Sequence, residues 1–181
     1  MKDKLEPQQI EAAIDRLCES VAAQLPPEGR VAVIGIRTRG ESLASRLIER
    51  LRKDKPGLQI DHGVLDITFY RDDLSLRGGA PVVRATEIDF SLDDAWVLLV
   101  DDVLQTGRSV RAALDALHDF GRPRCIRLAV LVDRGGRQLP IAADIVGLRI
   151  AAPQDARVQV RLKEIDDEEG IFIIRRDESQ P

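Results

Sequence analysis

The sequence predicts an α/β fold in which a central, mainly parallel sheet is flanked by helices. Short runs of consecutive apolar residues, typical of strands buried on both faces, alternate with longer stretches in which apolar residues recur three or four positions apart, as in amphipathic helices. Of the 181 residues, 44% are hydrophobic but only 3% are aromatic, which indicates aliphatic packing. We expect one domain over residues 1–181, since a chain of this length can bury a full core.

The first part of the chain predicts a helix followed by a βαβ unit. An apolar stripe through Ile10, Leu17 and Val21 indicates the first helix, and the Pro26-Pro27 pair ends it. The next segments alternate between apolar runs and amphipathic spacing. In order, the predicted elements are a helix over Pro7–Leu25, a strand over Val31–Ile36, a helix over Glu41–Lys53, a turn over Asp54–Gly57 and a strand over Ile60–Tyr70.

The second part predicts three further sheet strands and a terminal hairpin. A long irregular stretch, Arg71–Asp94, comes first, and loops of this length are often functional. A helix begins near Val110 and stops at Gly121 and Pro123. The predicted strands are Trp96–Val100, Cys125–Val132 and Ile145–Leu148, and then Arg157–Leu162 and Ile171–Ile174, which flank the acidic turn Asp166–Gly170 and form an edge hairpin.

The most informative segment joins the strand Trp96–Val100 to the helix that follows it. Asp101 and Asp102 leave the sheet at its carboxyl end, where open α/β sheets bind ligands, and two carboxylates can hold a cis-diol. The next residues combine a glycine, hydroxyl groups and the free amides of a helix start, which together suit a phosphate. The residues of this phosphate turn are Gln105, Thr106, Gly107, Arg108 and Ser109.

The thirteen residues Val97–Ser109 resemble the phosphoribosyl-pyrophosphate (PRPP) signature of the type I phosphoribosyltransferases. Two other interpretations are weaker. An acidic turn that caps an ordinary βα unit does not explain why so many elements occur in order. A Walker-type loop requires a Gly-Lys-Ser/Thr ending, which this segment lacks. The resemblance implies the type I fold, with a flexible loop and a small hood beside the sheet.

Further segments resemble one branch, the bifunctional pyrimidine operon attenuator/uracil phosphoribosyltransferase proteins, nearly without gaps from about Ile10 to about Ile173. These segments are Gly35–Gly40, Asp66–Ser75 and Gly121–Ile141. The resemblance implies that uracil and PRPP react to give UMP and pyrophosphate. It also implies regulation of pyrimidine operons through uridine-nucleotide-dependent binding to messenger RNA, with UMP or UTP as the nucleotide.

The resemblance assigns catalytic and pyrophosphate-binding roles. Asp101 and Asp102 would hold the ribose hydroxyls, and Mg²⁺ would arrive bound mainly through PRPP, so no dedicated protein metal site is predicted. The turn that contains Thr38, Arg39 and Gly40 would bind pyrophosphate, although solvated arginines in a tight turn are the alternative. Arg71, at the start of the long loop, is the candidate lid residue that would neutralise pyrophosphate and exclude water. It is otherwise part of a solvated charge cluster.

Base recognition is expected in the segment after Val132, because strand-end backbone groups can contact the edge of a pyrimidine. Arg134, Arg137 and Ile141 are the candidate residues there. A phosphoribosyltransferase for another base shares all the PRPP elements and remains an alternative. His62 and His118 lie far from these motifs in the sequence and are interpreted as surface or packing residues.

RNA binding is predicted to be weak or lost. Arg16, Thr38 and Arg137 match the positions that bind RNA in the family. Four other positions differ. Asp15 and Glu19 stand where the RNA-binding members have Thr and His, Gly136 stands where they have His, and Ala142 stands where they have Arg. Such changes remove donors and add negative charge near a polyanion. A primarily RNA-binding regulator of transcription is the competing function. Gln105, where the family usually has Tyr, still offers its backbone amide.

Charge and cysteine content limit which partners, metal sites and cellular compartments are compatible with the sequence. The net charge is −4 and the sequence pI is about 5.3, so no overall basic field favours nucleic acid. Cys18 and Cys125 are too few for a disulfide framework or a metal site, which indicates reduced thiols and a cytoplasmic protein. No apolar run approaches the roughly 20 residues that span a bilayer. By family resemblance, we expect a homodimer or a higher homo-oligomer.

Overall fold

The computed structural model describes residues 2–5, 7–72, 85–153 and 155–175. Within these ranges the chain alternates strands and helices, as the sequence predicts. In chain order the elements are β1 (Lys2–Leu5), α1 (Pro7–Gln24), β2 (Val31–Ile36), α2 (Arg39–Asp54), β3 (Ile60–Leu65), β4 (Trp96–Leu104), α3 (Arg108–Leu117), β5 (Cys125–Asp133), β6 (Ile145–Arg149), β7 (Ala156–Arg161), α4 (Lys163–Asp166) and β8 (Gly170–Arg175). Short 3-10 helices cover Thr68–Tyr70 and His118–Phe120.

Five parallel strands form the central sheet in the order β3-β2-β4-β5-β6. The chain proceeds outward from β2 to β3 on one side, and from β4 through β5 to β6 on the other. The order therefore reverses between β2 and β4. In open α/β sheets, the loops at the carboxyl ends of such strands separate and leave a crevice, which is the usual ligand site.

Alternate residues of each central strand pack on opposite faces of the sheet, which have different partners. On one face, Leu98 and Val100 of β4 join a core formed with α1, α2 and the inner residues of β7 and β8. On the other face, Val97 and Leu99 pack against α3 and the segment around Leu92. Burial of both faces explains why these strands are continuous apolar runs in the sequence.

A second sheet differs from the predicted edge hairpin. β7 and β8 form an antiparallel pair, but this pair is not an edge of the central sheet. It joins β1 in a separate sheet of order β1-β8-β7. The sequence pattern does not predict β1, because the four residues of this strand have little apolar pattern and it is defined by pairing with the distant β8. The acidic turn between β7 and β8 begins with the helical turn α4.

Two strand boundaries are corrected by the structure. The strand predicted over Ile60–Tyr70 ends at Leu65, because the Asp66 carboxylate accepts the Thr68 N–H at 2.7 Å and the chain turns there into a 3-10 helix. β4, predicted to end at Val100, continues to Leu104, because its pairing with β5 continues beyond the point at which β2 ends.

Part of the predicted long loop, residues 73–84, lies outside the described residues. Cys18 is buried and Cys125 is half-buried, and both are free thiols. No helix in the described part of the chain is both long enough and apolar enough to cross a membrane.

Candidate active site

A cavity of about 320 Å³ opens at the carboxyl ends of the central strands, beside the point at which the strand order reverses. It contains eight of the residues singled out in the sequence, contributed by the α2 start, the long loop and the β4–α3 connection. These residues are Arg39, Arg71, Asp101, Asp102, Gln105, Thr106, Gly107 and Ser109. The strand β7 of the small sheet forms another part of the wall.

Asp101 and Asp102 lie near the end of β4, where this strand extends beyond its pairing with β2. Asp101 is only 8% exposed and accepts the backbone N–H of Asp102 at 2.9 Å, while Asp102 accepts that of Val103 at 2.8 Å. The prediction that the pair leaves the sheet is therefore wrong in detail, since Asp101 still pairs with Val130 of β5. Both carboxylates nevertheless line the cavity.

Burial raises the pKa of Asp101 well above its usual value, and the negative charge of Asp102 raises it further. Burial also raises the pKa of Asp102, although the positive charge of Arg39 opposes that rise. Arg71 acts against the rise at Asp101 in the same way. The carboxylate pair is thus poorly solvated and shares its cavity with the guanidinium groups of Arg39 and Arg71. Such an arrangement is expected of a site that receives a charged substrate.

The phosphate turn after β4 is shaped by Gly107. Its φ of +90° lies in the left-handed region, and a Cβ there would lie 3.3 Å from the Ile141 Cβ. Helix α3 begins at the next residue, so the first N–H groups of the helix face the turn. The buried residues Val110, Ala113 and Leu117 fasten α3 to the sheet, which holds the turn in place.

The turn between β2 and α2 lies against β4. A Cβ on Gly40 would lie 2.4 Å from the carbonyl oxygen of Val100, so only glycine allows this approach. The Arg37–Thr38 peptide bond is cis. Of the residues predicted to bind pyrophosphate, Arg39 lines the cavity, whereas Thr38 and Gly40 lie beside it in the same turn. The Arg37 side chain instead pairs with Glu87 and, at 3.7 Å, with Glu41.

The described start of the long loop is attached to α3 and the 3-10 helix that follows it. Tyr70 donates its hydroxyl to Asp119, and Asp72 accepts a hydrogen bond from Arg108. Arg108 also bonds the Gln138 side chain at 2.9 Å and is not among the residues that line the cavity. Arg71, between the two attached residues, lies in the cavity wall.

The predicted base-binding side chains after β5 do not line the cavity. Arg134 is buried and donates to the carbonyl oxygens of Ala156 and Pro153 at 2.7 and 3.1 Å. Arg137 donates to the carbonyl oxygens of Gln105 and Ile141 at 2.9 and 2.8 Å. It also pairs with the Asp133 carboxylate at 2.7 Å. Both guanidinium groups therefore hold loops together around the cavity.

Three cavity residues were missed in the sequence analysis: Arg157, Val158 and Gln159 of β7. Their alternation was visible, since a buried Val158 places Arg157 and Gln159 on the opposite face of the strand. The sequence does not show that β7 lines the same cavity as the carboxylate pair, because this depends on how the two sheets pack.

Arg16, His62 and His118 do not line the cavity. Arg16 is on α1 and donates its Nε to the Gly147 carbonyl oxygen at 3.0 Å. His62 lines a shallow groove along α2, and burial lowers its pKa. His118 is exposed at the end of α3. Among the described residues, no group of three or more His, Cys, Asp or Glu side chains is arranged to hold a metal ion.

Comparison with known proteins agrees with this geometry. The family described as the phosphoribosyl transferase domain matches residues 2–164. A protein of Roseiflexus sp. named bifunctional protein PyrR is 50% identical over 175 residues, which cover 96% of this chain and 95% of that protein. The chain belongs to the PyrR family of phosphoribosyltransferases. The family resemblance stated from the motifs is thereby confirmed.

Other PyrR proteins match nearly as well. The protein of Deinococcus radiodurans is 48% identical over 87% of this chain and 86% of its own length. That of Mycobacterium ulcerans is 49% identical over 88% of this chain and 85% of its own length. Because the similarity extends over most of each chain, the family includes the central sheet, the phosphate turn and most of the small sheet.

Solved structures confirm the fold. A hypoxanthine phosphoribosyltransferase of Staphylococcus aureus superposes with a TM-score of 0.68 at 18% identity, over 97% of this chain and 93% of that one. A hypoxanthine phosphoribosyltransferase of Trypanosoma cruzi gives a TM-score of 0.71 at 19% identity, over 97% of this chain and 96% of that one. Identities this low show the type I phosphoribosyltransferase fold and do not bear on the base.

Proposed function

We propose that this protein converts uracil and PRPP to UMP and pyrophosphate. The observation that carries the proposal is that one cavity brings together a phosphate turn, a carboxylate pair and the arginine of a second anion-binding turn. These three parts match the three parts of PRPP: its 5′-phosphate, its ribose diol and its pyrophosphate. Relatives named bifunctional protein PyrR at about 50% identity favour uracil over a purine as the base.

The geometry supports the following placement of the substrate. The backbone N–H groups of residues 105–109 bind the 5′-phosphate at the start of α3. Asp101 and Asp102 accept hydrogen bonds from the ribose hydroxyls. Arg39, with the turn from Arg37 to Gly40, faces the pyrophosphate. The reacting carbon of the ribose then lies between the carboxylate pair and two of the cavity arginines, Arg39 and Arg71.

Electrostatics supplies the catalysis. As the bond to pyrophosphate breaks, positive charge develops on the ribose ring and negative charge on the leaving group. Asp101 and Asp102 stabilise the first charge, while Arg39 and Arg71 stabilise the second. In a poorly solvated cavity, preorganised groups of this kind lower the barrier more than they would in water. No side chain is required as a nucleophile.

The cavity suits Mg²⁺ that arrives with the substrate. Hard oxygen ligands are those that Mg²⁺ prefers, and Asp101 and Asp102 are the carboxylates of the described residues that reach the cavity. Mg²⁺ bound mainly to PRPP oxygens would neutralise the pyrophosphate, with Asp102 or its bound water as the protein contact. Two carboxylates are too few for a site that holds the ion without substrate, so the metal is proposed as part of the substrate complex.

We propose that the segment over residues 134–141 reads the base through backbone groups. The guanidinium groups of Arg134 and Arg137 are engaged with carbonyl oxygens, and Ile141 packs close to Gly107. Arg134 and Arg137 therefore shape the loop rather than reach into the cavity. The N–H groups of residues 134, 135, 138, 139 and 141 are bonded within the protein. The loop would therefore match a pyrimidine edge through its carbonyl oxygens and through the N–H groups of residues 136 and 137.

We further propose that regulatory RNA binding is weak or absent. On α1, Asp15 and Glu19 are exposed, and both lie on a groove shared with Asp54 of α2. Arg137, one of the matching family positions, uses its guanidinium on Asp133 and on loop carbonyl oxygens. Arg50 and Lys53 line the same groove, and Arg50 pairs with Asp15 at 3.5 Å, so the groove is mixed in charge. The added carboxylates and the engagement of Arg137 within the protein oppose a polyanion, and each missing contact costs about 1–3 kcal/mol.

The enzyme proposal is tested by assaying uracil, hypoxanthine, guanine and orotate side by side with PRPP and Mg²⁺. We expect product with uracil alone, and product only with a purine would contradict the proposal. RNA binding is tested by filter-binding titration with the leader RNA of the organism's own pyrimidine operon, with and without UMP. Nanomolar binding that depends on the nucleotide would overturn the second proposal and make the regulatory function primary.

We propose that the protein acts in the cytoplasm. Free Cys18 and Cys125 are compatible with a reducing compartment, and a PRPP-consuming reaction belongs in the cytoplasm. By resemblance to its family, the protein is proposed to form a homodimer or a higher homo-oligomer. Sedimentation velocity of the purified chain tests this assembly directly.

A further inference from the structure

The cavity arginine Arg39 is held by a residue of the small sheet's connecting helix. Its Nε and Nη2 donate to the two carboxylate oxygens of Asp166 at 3.0 and 2.6 Å. Both side chains are largely buried, with exposed fractions of 26% for Arg39 and 15% for Asp166. Such a two-point pair fixes the plane of the guanidinium as well as its distance.

Asp166 is itself held in place. Its Oδ2 also accepts the backbone N–H of Leu162 at 3.0 Å, which closes the turn between β7 and α4. Burial acts to raise the pKa of Asp166, but its hydrogen bonds with Arg39 and Leu162 outweigh burial and lower it. The carboxylate is therefore a charged acceptor in a defined position.

The pair leaves one edge of Arg39 available. Among the hydrogen bonds that join described residues, those of Arg39 use Nε and Nη2 and leave Nη1 unengaged. Arg39 lines the cavity and is close enough to Asp102 for its charge to lower the pKa of that carboxyl. Asp166 thus presents a fixed guanidinium edge to the space beside the carboxylate pair.

We infer that Asp166 is a positioning residue for the pyrophosphate end of PRPP and acts through Arg39. The inference rests on the proposed function, since it takes Arg39 as a pyrophosphate ligand. It adds a residue from outside the PRPP motif and from the other sheet. It also gives α4 a role beyond linking two strands.

Two effects of Asp166 oppose each other. Its negative charge reduces the attraction between Arg39 and an anion, but for a partly exposed pair this effect is small. Its hydrogen bonds remove the rotational freedom of a long side chain, and to order such a side chain on binding costs about 10-fold or more in affinity. Because the second effect is larger, loss of Asp166 weakens pyrophosphate binding.

The nearby pair Arg46–Glu164 provides a matched control. Glu164 lies on α4 two residues before Asp166, and its carboxylate pairs with Arg46 of α2 at 2.7 Å. Like Asp166, it links α4 to α2 through an arginine. Neither Glu164 nor Arg46 lines the cavity, so a change at Glu164 tests attachment of the small sheet without affecting Arg39.

The experiment compares D166N and E164Q with the wild type by calorimetric titration with UMP and with Mg²⁺-pyrophosphate, and by steady-state kinetics. In D166N we expect pyrophosphate affinity to fall about 10-fold and KM for PRPP to rise similarly, while UMP affinity changes less than twofold. E164Q should match the wild type in all three. In an R39A background, D166N should have no further effect on pyrophosphate.

Each other outcome has a definite meaning. Unchanged or tighter pyrophosphate binding in D166N overturns the inference, as does an equal loss of UMP affinity or an undiminished effect in R39A. A wild-type protein that binds UMP but not pyrophosphate also overturns it. A wild-type protein that neither binds UMP nor forms it contradicts the proposed function instead. Should D166N fail to fold, R39K, which keeps the charge but not the two-point pair, must show the same selective loss.

Discussion

At the scale of single residues, the buried carboxyl of Asp101 is kept at a cost to stability. Its pKa in the folded protein is raised by burial and by Asp102. A group of this kind stabilises the fold most below its unfolded pKa, about 3.9, and that contribution is lost as the pH rises through the folded value. The role proposed for Asp101 at neutral pH therefore requires a charge that the fold does not favour.

D101N should separate these two effects. The amide removes a buried charge yet keeps an oxygen to accept the Asp102 N–H. We expect a higher Tm than the wild type at pH 8 and a smaller difference at pH 4, measured by scanning calorimetry. We also expect kcat/KM to fall roughly 10- to 100-fold, because a charged hydrogen bond to ribose is lost. D115N, at an exposed position of α3, is the control, and a lower Tm for D101N at pH 8 would contradict the argument.

Gly107 gives a second prediction at this scale. An alanine there is strained by about 1–2 kcal/mol at a φ of +90°, and its Cβ presses on Ile141. Gly57 has a similar φ of +95°, but no atom lies within 4 Å of where its Cβ would be. G107A should therefore lose at least as much stability as G57A, and only G107A should weaken UMP binding. Equal UMP affinities in the two variants would show that the turn does not hold the phosphate.

At the scale of elements, Arg137 joins the phosphate turn to the segment after β5. It bonds carbonyl oxygens on both sides and the carboxylate of Asp133. R137A should lower the free energy of unfolding by about 1–3 kcal/mol and raise the Kd for UMP, because Gln105 loses its support. Urea denaturation and UMP titration measure the two effects. R122A, which truncates an exposed arginine, should change neither.

The elements also show what sequence could and could not predict. Apolar runs located the five central strands, and helical spacing located α1, α2 and α3, because these patterns reflect burial on one face or two. The end of β4 was misplaced because Asp101 and Asp102 interrupt the apolar run while the backbone continues to pair with β5. The end of β3 was misplaced in the opposite direction. This strand stops earlier than predicted because the Asp66 carboxylate accepts the Thr68 N–H and turns the chain.

The candidate site was predicted only where its residues are close together along the chain. Residues contiguous in the PRPP motif, such as Asp102 and Thr106, were found because their spacing along the chain is the signal. Arg157 and Gln159 were missed because their proximity to that motif arises from packing of the small sheet on the central one. Arg134 and Arg137 were placed in the right segment, but sequence does not show that their side chains bond the backbone.

At the scale of the whole molecule, the two sheets are connected by charge as well as by apolar packing. Arg46 of α2 bonds both Glu164 and Glu169 at 2.7 Å, and its side chain is only 17% exposed. We propose that both sheets unfold as one unit, in keeping with the single domain expected from chain length. Interfaces of this kind transmit the loss of one sheet to the other.

R46A tests this connection. We expect one cooperative urea transition for both proteins and a loss of about 1–3 kcal/mol in R46A, since two charged partners lose their hydrogen bonds. K53A removes an ion pair with Glu49 on the same helix, where both side chains are about 70% exposed. That variant should lose less than about 0.5 kcal/mol. Two separate transitions in the wild type would show that the sheets are independent.

The two walls of the cavity come from different sheets, so each wall can change in sequence independently of the other. The wall from β4 and α3 carries the carboxylate pair and the phosphate turn that we propose hold the sugar-phosphate. The opposite wall, from β7, belongs to a sheet of its own, joined to the rest through side chains. Substitutions in β7 can therefore reshape that wall while the carboxylate pair and the phosphate turn stay intact, a modular arrangement in which the two halves of the cavity can diverge separately.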